Sequence, residues 1–147
     1  MKPIRPAIAV FALSFSSLSC VAPPDANSSW ELTVTSGSVA AVAPSGGQWD
    51  TFGGAPDPVV CLTINGTRVC TPESRDRYSP VWNYTFPVAT AGALQAGITV
   101  EFYDNDTVGS EAICATTRLA PSNGDFASGG GSISCGGSSF NYDLAPR

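Results

Sequence analysis

Gly97-Ile-Thr-Val-Glu-Phe-Tyr-Asp-Asn-Asp-Thr-Val-Gly-Ser-Glu111 begins with apolar residues at every second position and ends in a loop that carries three acids. The first half has the two-residue period of a half-buried strand. The second half contains Asp104, Asp106 and Glu111. Carboxylates one residue apart at a strand end can point the same way, and they repel each other unless a cation lies between them. The stretch therefore predicts a strand that leads into a cation site or into a solvated turn, since Asp and Asn are also ordinary turn residues.

Other strand candidates occur at short intervals, with Gly, Pro, Asn and Asp in the gaps. All candidates together are Trp30–Thr35, Pro58–Ile64, Thr67–Thr71, Val81–Val88, Gly97–Tyr103, Ala112–Leu119 and Phe140–Leu144. Many short strands with turn signals between them are typical of a β-sandwich or barrel. Helical character is limited to Thr90–Ala96. The segment Asn123–Gly137 is rich in Gly and Ser, so we expect a long loop inside the domain.

Alternating aromatic and aliphatic residues on three of these strands supply a core. They are Trp30, Leu32 and Val34 on the first, Trp82, Tyr84 and Phe86 on the fourth, and Phe140, Tyr142 and Leu144 on the last. Because side chains alternate between the two faces of a strand, each set is expected to face inward.

Residues 1–19 have the features of a secretory signal. Lys2 and Arg5 form a weak basic start, and the apolar run Ala7–Phe15 is too short to span a bilayer as a mature helix. Ser17-Leu-Ser-Cys20 resembles the bacterial lipobox, in which the cysteine is lipidated and becomes the mature N-terminus. We expect a signal peptide over residues 1–19, a tether over residues 20–29 and one domain over residues 30–147. Lipidation at Cys20 would place the chain at the bacterial outer membrane or elsewhere in the cell envelope; otherwise it would be periplasmic or secreted.

Removal of this leader would leave five arginines, no lysine and twelve acidic residues, a net charge of −7. Affinity for nucleic acids comes mainly from neutralising phosphates, so this composition excludes a typical DNA- or RNA-binding protein. The chain also lacks the polybasic patch that would attract anionic lipid by charge alone. It contains no His to act as a general base, and an enzyme is not expected.

The five cysteines become four once Cys20 is set aside, an even number in an exported chain. Asn65-Gly66 is a two-residue hairpin signal. Pairing outward from it places Cys61 opposite Cys70 at a non-hydrogen-bonded position, where side chains lie closer. This register predicts a Cys61–Cys70 disulfide, and Cys114–Cys135 follows by elimination. A zinc site is the alternative, but the spacings are not those of a Cys-x-x-Cys motif.

Three segments resemble signatures of the C2 domain, the calcium- and lipid-binding β-sandwich of protein kinase C and the synaptotagmins. Gly54-Ala-Pro-Asp-Pro-Val-Val-Cys-Leu62 is similar to its Ser-Asp-Pro-Tyr-Val strand start. Ser79-Pro-Val-Trp-Asn-Tyr-Thr-Phe86 is similar to its Asn-Pro-Val-Trp-Asn strand, and Ile98–Asp106 to its strand ending in Asp-x-Asp. The resemblance implies an all-β fold, an antiparallel eight-stranded β-sandwich with C2-like Greek-key topology.

The resemblance also implies a Ca²⁺ site at one end of the sandwich. Carried over by position, its ligands are Asp50 and Asp57 from one loop, and Asp104, Asp106 and Glu111 from another. Calcium takes about six to eight oxygen ligands, including carboxylates, at ~2.3–2.6 Å, which agrees with a cluster of acids.

Phe52 and Val108 lie between the acids of the same two loops. In lipid-binding members of the family, side chains at such loop tips insert into the bilayer; the alternative is that Phe52 packs under its own loop. The sequence therefore predicts a calcium-binding module on an exported, lipid-anchored, monomeric protein that binds anionic phospholipid or a protein partner. A metal-free structural or adhesive sandwich of the cell envelope is the alternative.

Overall fold

A computed structural model of the chain describes residues 22–49, 54–106 and 109–147. These ranges contain nine strands and two short helices. The strands are β1 (Ser29–Ser38), β2 (Pro58–Ile64), β3 (Thr67–Cys70), β4 (Val81–Thr85), β5 (Ala89–Thr90), β6 (Ile98–Asp106), β7 (Gly109–Leu119), β8 (Gly130–Cys135) and β9 (Ser138–Pro146). The helices are α1 (Ala91–Ala96) and α2 (Asn123–Ser128).

The strands form two antiparallel sheets that pack as a sandwich. One sheet has the order β4-β1-β9-β8, with β5 paired to the start of β1, and the other has the order β3-β2-β6-β7. The predicted all-β antiparallel sandwich is confirmed. The described residues hold nine strands rather than eight, and two of these, β5 and β8, were not among the candidate segments.

The prediction of a long loop over Asn123–Gly137 is wrong. Ser122 and Asp125 form a capping box in which each side chain accepts a hydrogen bond from the other residue's backbone N–H, and this starts α2. The glycines after α2 pair with β9 as strand β8. A Cβ at Gly130 would lie 2.2 Å from the carbonyl oxygen of Tyr142. Glycine here allows close backbone packing rather than flexibility.

The predicted hairpin register is confirmed residue by residue. Cys61 lies opposite Cys70, their Cα atoms are 4.0 Å apart, and a disulfide joins them. The second predicted disulfide, Cys114–Cys135, is also present. Since Cys114 lies on β7 and Cys135 on β8, this bond links the two sheets.

The core forms between the sheets from the predicted strand faces. Leu32, Val34, Phe86, Phe140, Tyr142 and Leu144 are buried, and Trp30, Trp82 and Tyr84 are partly buried against them. The centre of the core is Phe102 of β6, which contacts Trp82 and Phe140 of the opposite sheet edge-to-face. The alternating pattern therefore predicted the inward faces correctly.

Part of the predicted tether contacts the sandwich. The carbonyl oxygens of Ala26 and Ser28 accept hydrogen bonds from the backbone N–H groups of Gly92 and Ala91 in α1. Cys20 and the predicted signal peptide lie outside the described residues. Among the described residues, no helix is long and apolar enough to cross a membrane.

Candidate functional site

Two paired strands bring Asp57 and Asp104 together at one end of the sandwich. Pro58 at the start of β2 lies opposite Asp104 of β6. The backbone N–H of Asp57 donates to Oδ1 of Asp104 at 2.5 Å, and the N–H of Asn105 donates to the carbonyl oxygen of Asp57 at 3.1 Å. Asp104 continues the inward-facing row of β6 and is 0% exposed. A carboxylate therefore occupies the last core position of this strand.

The other two described acids of the predicted set lie on β6 and on its other neighbour, β7. Glu111 of β7 is opposite Asp104, and Asp106 is opposite Gly109. Asp106 and Asn105 line, together with Asp57, an open depression of about 280 Å³. The structure thus places Asp57, Asp104, Asp106 and Glu111 at one end, which we call the acidic end. Asp50, Phe52 and Val108 fall outside the described residues.

Residues 71–80, between β3 and β4, complete the acidic end and were missed by the sequence analysis. Glu73 accepts hydrogen bonds from the side chains of Asn105 at 2.7 Å and Arg75 at 2.5 Å. The backbone N–H of Asp76 donates to Oδ1 of Asp57 at 2.7 Å. Glu73 and Arg75 also line the depression beside Asp57. A third loop therefore contributes one more carboxylate and one cation.

A signal for this loop was present in the sequence. Residues 73–77, Glu-Ser-Arg-Asp-Arg, are dense in charge in a chain with only 13% charged residues. A two-residue turn at Asn65-Gly66 sends β3 back toward the start of β2. The segment after β3 must therefore lie near Asp57, and the backbone N–H of Arg77 indeed donates to the carbonyl oxygen of Pro56 at 2.8 Å.

The charges of the acidic end are partly balanced within the chain. Hydrogen bonds from Asn105 and Arg75 lower the pKa of Glu73, so this carboxylate is ionised at neutral pH. The same pairing with Glu73, together with the nearby Asp57 and Asp76, raises the pKa of Arg75. The Arg75 side chain is 82% exposed. Because the guanidinium remains in water, solvent screens this ion pair and its contribution to stability is small.

The donors at the acidic end are carboxylates and a side-chain amide, the hard oxygen ligands that suit Ca²⁺ rather than softer metals. In the three ranges that the structure describes, no three His, Cys, Asp or Glu side chains converge closely enough to hold an ion. The predicted site has a further acid, Asp50, that lies outside these ranges. The residue types therefore fit calcium, and the described acids supply part of the oxygen donors that such a site would need.

The model of the C2 domain family matches residues 30–132, which is most of the chain and includes all four described acids of the predicted site. The chain belongs to the C2 domain family. C2 domains are generally non-catalytic modules that bind calcium and lipid. The predicted resemblance is thus confirmed at the level of the family and its fold.

Solved structures of other C2 domains share the fold at low sequence identity. A single C2 domain of plant extended synaptotagmin 1 superposes with a TM-score of 0.57 at 15% identity, covering 84% of this chain and 97% of that one. The calcium-bound tandem C2 domains of extended synaptotagmin 2 give a TM-score of 0.58 at 11% identity, covering 84% of this chain and 46% of that one. No curated protein matches the chain significantly.

Human GIVD cytosolic phospholipase A2, solved with a fluorophosphonate inhibitor and terbium chloride, gives a TM-score of 0.56 at 17% identity. The match covers 81% of this chain but only 17% of the phospholipase. This C2 chain therefore corresponds to a small part of that enzyme, and the likeness concerns the fold alone.

Proposed function

We propose that this C2 domain is a calcium-binding module of an exported protein, and that its acidic end binds Ca²⁺ and then anionic phospholipid or a protein partner. The observation that carries the proposal is the direct contact between Asp57 and Asp104, with Asp106 at the same end. A solvated turn would leave its carboxylates in water, because removing a charge from water is costly. Asp104 is instead held at the edge of the core, beside two other acids. No catalytic role is proposed.

The residues at this end would have different roles. Asp57, Asp104 and Asp106 would hold the ion, with Asp50 and Glu111 as the further carboxylates of the set. Calcium, when bound, supplies the positive charge that reverses the repulsion between this acidic chain and an anionic partner. Glu73, which accepts a hydrogen bond from the side chain of Asn105, holds residues 71–80 beside the site.

Asp104→Asn is expected to abolish the calcium-induced rise in melting temperature. With a dissociation constant of ~10⁻⁴ M and ~2 mM calcium, values typical of extracellular sites, binding adds ~1.8 kcal/mol to the wild type. That corresponds to about 5 °C for a domain of this size. The amide oxygen of Asn can still accept the hydrogen bond from Asp57, so the variant should keep its calcium-free stability. Calorimetric melting with calcium or with a chelator measures both.

Asp143→Asn is the matched control, because Asp143 is an exposed carboxylate on β9 and lies outside the acidic end. It should keep the full calcium response. If wild type and Asp104→Asn melt alike with and without calcium, the acidic end does not bind calcium. The metal-free structural or adhesive sandwich then takes the place of the calcium module.

Export and membrane anchoring through Cys20 are supported by the leader sequence. We expect labelled palmitate to be incorporated into the full-length chain in a bacterial host and not into Cys20→Ala, because lipid attachment requires the thiol. A wild-type chain that is exported unlabelled as a soluble protein would exclude the anchor and leave simple secretion.

A further inference from the structure

The predicted tether joins the sandwich at the end opposite the acidic end. The backbone N–H of Gly92 in α1 donates to the carbonyl oxygen of Ala26 at 2.8 Å. Ser29, the first residue of β1, pairs with Thr90. We call the part of the sandwich formed by residues 26–29 and 90–92 the tether end.

The length of β1 separates the tether end from the acidic end. Just past the last residues of this strand, the backbone N–H of Val39 donates to the carbonyl oxygen of Tyr78 at 2.8 Å, and Tyr78 belongs to the loop of residues 71–80. The strand has ten residues, and a bulge against β9 removes one of its nine steps. At ~3.3 Å per residue, the remaining steps span about 26 Å. The acidic end therefore lies about that far from the tether end.

The tether is too short to bring the acidic end onto a bilayer that holds Cys20. The backbone N–H of Ser28 donates to the carbonyl oxygen of Asp25 at 2.9 Å, so the chain turns at Asp25. Five residue steps connect Asp25 to Cys20, and a fully extended chain of that length spans at most about 18 Å. The lipid linkage adds only a few ångströms. Because this reach is shorter than β1, an anchored domain cannot stand with its acidic end on the anchoring bilayer.

The charge distribution favours the same orientation. At the tether end, Arg147 pairs with Glu31, and Arg118 donates to the carbonyl oxygen of Ala96 at the end of α1. At the acidic end, the described carboxylates outnumber the arginines: Asp57, Glu73, Asp76, Asp104, Asp106 and Glu111 against Arg75 and Arg77. An anionic bilayer therefore repels the acidic end more strongly than the tether end.

We propose that, in the chain anchored at Cys20, the acidic end faces away from the anchoring bilayer and meets a protein partner that approaches from the solvent. The inference rests on the proposed function, which supplies the anchor and the calcium, and it selects between the two partners named there. The chain lacks the polybasic patch that would hold a second anionic bilayer by charge. Arg77 and Tyr78, exposed beside the acidic end, are instead of the residue types enriched at protein–protein interfaces.

Contact quenching in vesicles tests the orientation. The lipidated full chain is reconstituted into vesicles of phosphatidylcholine and phosphatidylserine that contain a lipid with a nitroxide headgroup. A fluorophore is attached at Ser79→Cys, which is exposed at the acidic end, or at Ala145→Cys, which lies opposite Glu31 near the tether end. The probe at Ala145→Cys should be quenched several-fold more than the probe at Ser79→Cys, both in chelator and at ~2 mM calcium.

A lengthened tether is the matched control. Inserting about 20 Gly and Ser residues after Pro23 adds roughly 25 Å of average span, because such a linker behaves as a flexible coil. The probe at Ala145→Cys should then be quenched less, since the tether no longer holds its end of the sandwich near the bilayer. Unchanged quenching of this probe would overturn the inference, because the tether would not set the position of the domain.

The other outcomes separate the inference from the proposed function. Quenching at Ser79→Cys that rises with calcium would show docking on the anchoring bilayer, and equal quenching of both probes would show a domain lying on its side; either result overturns the inference. Capture of added protein-free phosphatidylserine vesicles would overturn the protein partner, and a chain without lipid would remove the anchor and the inference with it. A wild type without a calcium-induced melting shift overturns the proposed function alone, because the quenching difference in chelator does not depend on calcium.

Discussion

Replacing Phe102 by alanine is expected to lower the free energy of unfolding by about 3–5 kcal/mol, the usual cost of truncating a buried phenylalanine. Phe102 is 1% exposed on β6. Its ring centre lies 6.1 Å from that of Trp82 and 5.7 Å from that of Phe140, both in the opposite sheet. The substitution therefore leaves a cavity at the point where the sheets contact each other.

Urea unfolding of the purified domain measures this loss. Phe102→Leu is the control, because it keeps most of the volume and should cost less than about 1.5 kcal/mol. Asp104 lies two residues later on the same strand, so we also expect weaker calcium binding in any folded fraction of Phe102→Ala. An alanine variant that loses less than the leucine variant would contradict a core centred on this ring.

Removing the Cys114–Cys135 disulfide is expected to destabilise the domain more than removing Cys61–Cys70. The two bonds close segments with sequence separations of 21 and 9 residues. Chain entropy alone predicts losses of about 3.3 and about 2.6 kcal/mol. The hairpin disulfide also duplicates a connection that four residue pairs between β2 and β3 already make. The other disulfide joins β7 to β8, which belong to different sheets.

The measurement is urea unfolding of Cys114→Ala/Cys135→Ala and Cys61→Ala/Cys70→Ala without reducing agent. Wild type with dithiothreitol should be less stable than either variant, because both bonds are then open. A larger loss in the hairpin variant would mean that the inter-sheet bond does not constrain the sandwich.

Both predictions matter for the proposed function because the loops of the acidic end connect strands of the two sheets. Residues 39–57 lead from β1 of one sheet to β2 of the other, and residues 71–80 lead back from β3 to β4. The contact between the Asp76 backbone and the Asp57 carboxylate lies between these two loops. A sandwich that loosens should therefore separate the acids of the acidic end before it unfolds.

Several features of the candidate site could be predicted from the sequence. The Asn65-Gly66 turn and the two-residue period of the strands set the hairpin register, and with it the Cys61–Cys70 pair. The predicted strand ended at Tyr103 with Asp104 in the following loop, whereas β6 continues to Asp106 and Asp104 lies on the buried face of Phe102. The family resemblance added Asp57 from a loop that is distant in sequence. The sequence could not show how closely Asp57 and Asp104 lie, since no local pattern encodes a 2.5 Å contact across 47 residues.

For seven of the nine described strands, the sequence alone indicated the segment and its apolar face, and it also indicated the pairing of the hairpin at Asn65-Gly66. The pairing of β1 with β9, and the helix and strand within Asn123–Gly137, emerged only when the sheets were assembled. The position of Glu73 and Arg75 at the acidic end was also determined only by the assembled fold. The two-residue period shows which face of a strand is buried, but it does not show which element covers that face. The need for glycine in β8 becomes clear only in the assembled sheet, where the backbone of Tyr142 lies against Gly130 and its side chain lies against Gly131.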